Sequence, residues 1–131
     1  MKIFFDENYS KYIAKAIGLL EYTDGKIEVL VTDEELYKGA SDQEVVELVS
    51  VNNGVLFTKD KDFKKAKLIV ELMKTRKMGL FYMKTLKKDV YWETIVRLMK
   101  SYIHCRGKIL NQNIPYYYEI MPNGTIKEML L

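Results

Sequence analysis

The chain has 131 residues, 48% of them hydrophobic and 30% charged, with seven glycines and two prolines. A chain of this size and composition suits a single domain spanning residues 1–131 that buries about two-thirds of its unfolded surface, which excludes disorder and makes metal or disulfide staples unnecessary. Lys and Arg number 21 against 18 Asp and Glu, a net charge of +3 that is too small to name a partner.

The one cysteine, Cys105, has no intramolecular disulfide partner, and no stretch approaches 18 apolar residues. The apolar start Ile3-Phe4-Phe5 meets Asp6 before a signal-peptide core is complete. The expectation is a cytoplasmic protein with no membrane partner.

In chain order, Lys2 to Phe5 reads as a buried strand that stops at Asp6-Glu7-Asn8. Ile13, Ala14, Ala16, Ile17 and Leu20 then recur at helical spacing, predicting a helix over 10–21, and Ile27, Val29 and Val31 predict a second strand. A polar stretch from Asp33 to Gly39 leads to Ser41-Asp42-Gln43-Glu44, a capping box that starts a helix ended by Asn52-Asn53-Gly54. Val55 to Phe57 is a third strand, and Asp62 can cap a third long helix that ends before Gly79. Leu80 to Met83 is a fourth strand and residues 90–104 an amphipathic helix. Residues 106–115 read as a connection. Tyr116 to Met121 and Thr125 to Leu130, around Pro122-Asn123-Gly124, then form a hairpin. Repeated strand-helix alternation predicts an α/β fold with a mostly parallel sheet covered on both faces.

Ligands of such sheets bind beyond the carboxyl ends of the strands. Asp6 follows strand one, Asp60 follows strand three, Asp62 opens the next helix, and Asp42 lies in the first turn of the capped helix. Four carboxylates from three segments thus face one edge. Gathering them costs several kcal/mol unless a proton or cation neutralises the charge. Oxygen-only ligation favours Mg²⁺ or Mn²⁺ over zinc, and such an ion would activate water and hold a phosphate for phosphodiester hydrolysis. Each acid also has a structural reading: Asp42 suits a helix dipole, Asp62 an N-cap, and Glu44 the capping box.

Thr58 and Asn8 suit hydrogen-bond partners of the ligands. His104 and Cys105 adjoin at a predicted helix end but are too few for a zinc site, and Tyr116-Tyr117-Tyr118 reads as cross-strand packing before base stacking. Residues 59–67 hold five lysines around two aspartates. That run is a solvated helix face or a phosphate-facing rim.

Asp6-Glu7-Asn8, Gly39-Ala40-Ser41-Asp42 with Glu44, and Thr58-Lys59-Asp60-Lys61-Asp62-Phe63 together resemble the three signature blocks of the PIN-like nuclease superfamily, in its small stand-alone branch related to VapC toxins. The resemblance implies a three-layer α/β/α PIN-like fold with a C-terminal β-hairpin and a Mg²⁺- or Mn²⁺-dependent ribonuclease. Its catalytic acids would be Asp6, Asp42, Asp60 and Asp62, the first three holding metal, with Asn8, Thr58 and Glu44 orienting them. Lys59, Lys61, Lys64, Lys65 and Lys84 would face RNA, although Lys59 and Lys61 interleave the acids and Lys84 stands where related chains often carry arginine. A small antitoxin-like protein partner is implied as well. The same acids admit two alternatives: a binding module with little turnover, held by a protein partner, or a receiver-like phosphoacceptor using Asp6, Glu7, Asp60 and Lys84. Exposed aromatics such as Trp92, or the Tyr116 to Tyr118 run, could build a homodimer face.

Overall fold

Short runs of apolar and β-branched residues set the strands of the computed structural model, which describes residues 1–61, 67–84 and 91–130. The described elements are β1 (Lys2–Phe5), α1 (Lys11–Tyr22), β2 (Glu28–Val31), α2 (Thr32–Glu35), α3 (Asp42–Val51), β3 (Val55–Thr58), α4 (Lys67–Arg76), β4 (Gly79–Met83), α5 (Tyr91–Asn111), β5 (Tyr116–Ile120) and β6 (Ile126–Met129). One sheet has the order β2-β1-β3-β4-β5-β6. All its pairs are parallel except β5 with β6, the predicted hairpin.

Helices cover both faces, giving three layers. On one face Ile13, Ala14 and Ile17 of α1 and Leu98, Tyr102, Cys105 and Ile109 of α5 pack on Ile3, Phe5, Phe57, Phe81 and Tyr118. On the other, Val45, Val46 and Val49 of α3 and Met73 of α4 pack on Phe4, Leu56, Leu80, Tyr82 and Tyr117. The alternation of side chains along each strand divides them this way. Phe5, Phe57, Phe81 and Tyr118 stack in a row across four strands, with ring centroids 4.8, 5.0 and 5.5 Å apart. Each such contact adds about 0.5–1.5 kcal/mol beyond burial, so the row pins the strand register that places the residues immediately after it.

The predicted capping box is present: Ser41 Oγ accepts from the Glu44 N–H at 3.2 Å and Glu44 Oε1 accepts from the Ser41 N–H at 3.2 Å. The same helix ends as predicted, with Asn53 at φ 50°. At Gly54 a Cβ would lie 2.9 Å from the Phe4 ring and 3.0 Å from the Lys2 carbonyl oxygen, so α3 can turn into β3 here only without a side chain.

Two expectations change. The polar stretch after β2 contains the short helix α2, whose four residues show no apolar period. Helix α5 continues to Asn111, because Ile109 extends the buried stripe and Arg106 is anchored to Glu21, so His104 and Cys105 lie inside the helix. The three tyrosines pack as expected and are core, which removes them as a dimer face: Tyr116 and Tyr118 face α1 and α5, and Tyr117 faces α3 and α4. The predicted cap at Asp62 lies outside the described residues. Among the described residues no helix is long and apolar enough to cross a membrane.

Candidate functional site

One residue beyond the aromatic row, the sheet turns polar. Thr58 pairs in register with Tyr82, and Tyr82 with Glu119, while Asp6 meets Thr58 through a hydrogen bond. The pleat directs this row to the face opposite the stacked rings. Asp6 continues β1 alongside β3, its N–H donating to the Phe57 carbonyl at 3.0 Å.

The Asp6 carboxylate is only 6% exposed. Its Oδ1 accepts from the Glu7 N–H at 2.6 Å and its Oδ2 from the Thr58 hydroxyl at 2.8 Å. The Thr58 hydroxyl oxygen also accepts from the Asp60 N–H at 3.0 Å. Thr58 therefore ties the two acids together. Burial pushes the Asp6 carboxyl above the usual carboxylate range. Its bonds from Thr58 and Glu7 oppose the rise, and the charges of Asp60 and Glu7 add to it. Among the described residues no lysine or arginine forms an ion pair with Asp6.

A turn closes the third side. Glu7 Oε2 accepts from the Gly39 N–H at 3.0 Å, Gly39 taking φ 83° to present it. Tyr37 donates its hydroxyl to the Glu44 carboxylate at 2.6 Å, which, with the Ser41 bonds, holds the Glu44 carboxyl below its ordinary value. Glu44 is thus a capping and turn-holding residue, and Asp42 starts α3 beside it. Asp6, Asp60, Asp42, Asn8, Glu7 and Tyr37 line one cleft of about 40 Å³. Of the predicted acids, the structure brings Asp6, Asp42 and Asp60 to this cleft, and Asp62 lies outside the described residues. Among the described residues no three acids, histidines or cysteines enclose a metal position by themselves. A larger groove of about 780 Å³, between α1 and β2, contains Lys2, Lys15 and Lys26 and only one acid, Glu28.

Lys59 places its ammonium 5.0 Å from the centre of the Tyr9 ring, while Lys61 and Lys84 are exposed at the ends of β3 and β4. Lys64 and Lys65 lie outside the described residues. Several residues of this edge escape sequence reasoning. Arg97 is buried in α5 and donates through Nη2 to the Lys84 carbonyl at 2.8 Å, fixing the end of β4. Its signal was the buried stripe of Thr94, Leu98 and Ser101, which it shares. Tyr82 is buried next to Glu119 and Asp60, whose charges add to desolvation in raising its hydroxyl above the usual value.

The order β2-β1-β3-β4-β5 serves several doubly wound folds and does not by itself separate a nuclease from a receiver-like domain. The sequence does: a family described as PIN like domain matches residues 1–85, nearly two thirds of the chain. The match contains Asp6, Asp42, Asp60 and Lys84 and ends before α5. No curated protein and no solved structure matches the chain. With the six-stranded sheet, its two helical layers and the acids at the carboxyl edge, the match shows that this chain belongs to the PIN-like domain family and has the fold of PIN-type nucleases.

Proposed function

We propose that the protein is a Mg²⁺- or Mn²⁺-dependent ribonuclease working at the Asp6–Asp60–Asp42 cleft. The observation that carries this reading is Asp6, a nearly buried carboxyl beside Asp60 with no ion-pair partner among the described residues. The donors fit a hard cation, because the cleft offers carboxylate, amide and hydroxyl oxygens and neither thiol nor imidazole. Its volume of about 40 Å³ admits an ion with a water or two. Magnesium sites commonly use one or two carboxylates completed by water and substrate phosphate, which suits Asp6 and Asp60 as principal holders with Asp42 positioning the ion or its water. When bound, such an ion supplies charge stabilisation and a more acidic water.

The chain's own residues do the rest. Thr58 orients the Asp6 carboxylate and fixes the Asp60 backbone before substrate arrives. Asp42 positions the metal or the attacking water, and Asp62 acts directly or through water. Lys59, Lys61, Lys64, Lys65 and Lys84 neutralise RNA phosphates, contacts that position the strand without reading its sequence.

The test is calorimetric titration with Mn²⁺ and Mg²⁺ of wild type beside the Asp6→Asn/Asp60→Asn double variant, followed by single-stranded RNA cleavage with and without EDTA. The reading expects binding lost in the variant and cleavage abolished by EDTA. Wild-type protein that neither binds metal nor cleaves RNA contradicts it.

The finer reading is the toxin of a toxin–antitoxin pair. A small partner would cover the cleft and place an Arg or Lys against Asp6, where the fold supplies no cation among the described residues. Co-expression with the product of a short adjacent reading frame should then suppress cleavage. Metal binding without cleavage would move the protein to the second reading, a binding module with the same cleft.

A further inference from the structure

The acid cleft has a neighbour. Glu7 and Asn8, which line it, also line a second cleft of about 420 Å³, whose other walls include Lys11, Val31, Asp33 and Lys38. The bond from the Gly39 N–H to Glu7 Oε2 stands between the two. A volume of this order holds a small ligand, whereas the acid cleft, at about 40 Å³, holds an ion and little else.

The charges of the second cleft sort the parts of a ligand. Lys11 and Lys38 are exposed and form no ion pair among the described residues, so both ammonium groups are available to phosphate. Asp33 is partly buried in the wall, and its Oδ1 has no hydrogen-bond partner among the described residues. An enclosed acceptor in that state costs free energy until a donor reaches it. Rotation about the Asp33 χ2 exchanges the two oxygens, so the wall can offer this acceptor to the cleft. A carboxylate repels phosphate but accepts from the N–H edge of a base, and in single-stranded RNA that edge is open. Guanine fits best, because its ring N–H and exocyclic amine lie side by side and match two carboxylate oxygens. Uracil has a single N–H, and adenine and cytosine have only the amine.

We propose that this cleft is a nucleotide subsite for single-stranded RNA, in which Asp33 accepts from the base, guanine before the others, while Lys11 and Lys38 hold the flanking phosphates. The ligand class rests on the nuclease reading. The subsite adds to that reading a preference for sequence, which phosphate contacts alone do not supply.

The test is fluorescence anisotropy in EDTA, where binding is read without cleavage. The probes are short labelled oligouridines with guanosine, inosine or uridine at one guest position; inosine is guanosine without the exocyclic amine. Wild type should bind the guanosine strand about tenfold more tightly than the inosine strand. Asp33→Ala should erase that preference and leave the inosine affinity nearly unchanged. Lys11→Glu/Lys38→Glu, at two exposed positions, should weaken all three strands alike, by about tenfold or more, and flatten the dependence on salt. A wild type without preference among the strands, a preference that survives Asp33→Ala, or affinity indifferent to the lysine reversals overturns the subsite, even in a protein that cleaves RNA with metal. Asp33-dependent selective binding in a protein that never cleaves would uphold the subsite and sink the nuclease reading alone.

Discussion

Two carboxylates are almost equally buried, Asp6 at 6% exposure and Glu21 at 4%, and the fold treats them in opposite ways. Glu21, near the end of α1, accepts from the Tyr102 hydroxyl and from Arg106 Nε, 3.0 Å from each of its oxygens, while Arg106 also reaches Asp24. Its charge is matched inside the fold. Asp6, at the opposite end of the sheet, accepts only neutral hydrogen bonds, and its charged neighbours Asp60 and Glu7 repel it. Burial alone therefore does not mark function. The proposed site rests instead on a buried charge left without an ion pair among the described residues, at the strand ends where such sheets bind ligands.

The largest expected effect separates the two acids by chemistry. Asp60→Asn should lower RNA cleavage by at least about a hundredfold, given the several kcal/mol a metal site supplies. Its melting temperature in EDTA should be equal or higher, since one repelling charge is gone. Glu21→Ala should do the reverse, costing about 2–3 kcal/mol by denaturant unfolding and leaving cleavage by the folded fraction unchanged. The cost falls below that of a fully buried pair because the Arg106 side chain is 29% exposed. Cleavage lost in the Glu21 variant under folded conditions would erase the distinction.

Proton linkage sharpens it. Because the Asp6 carboxyl is raised in the folded state, that state holds its proton more tightly than the unfolded chain. Without metal, stability should fall as pH rises from the ordinary aspartate value through the raised one, and the penalty persists at neutral pH. Asp6→Asn should flatten melting temperature against pH in that window. Thr58→Val removes the hydroxyl that Asp6 accepts and that itself accepts from Asp60 N–H, at a cost of about 1–2 kcal/mol. It should also move the acid limb of metal binding to higher pH. The smallest effect, about 1 kcal/mol, is loss of the α3 cap in Ser41→Ala, read by thermal unfolding.

What could be read from the residues divides along physical lines. Local rules located β1, the capping box at Ser41 and Glu44, the Asn53-Gly54 stop and the final hairpin, because each rests on neighbours in sequence. The acids Asp6, Asp42 and Asp60 were legible because strand ends and a helix start fall at one edge of a parallel sheet. The last third of α5 was not, since Gly107 resembles a terminator and only the distant Glu21 shows why Arg106 stays helical. Glu21 and Arg97 were missed for the same reason: they look like surface residues until the partners of each are in place, whereas Tyr82 was read only as part of an apolar strand. The role of Glu44 narrowed to capping once Tyr37 was seen to occupy its carboxylate.

The most direct test is the melting temperature of the EDTA-stripped protein, measured before and after adding Mn²⁺ at neutral pH, for wild type and for Asp6→Asn/Asp60→Asn. The account predicts that wild type is stabilised by the ion and that the variant, already as stable without it, gains nothing. Equal gains in both proteins, or none in wild type, would contradict the claim that the buried Asp6 carboxylate, beside Asp60, is held for a divalent cation.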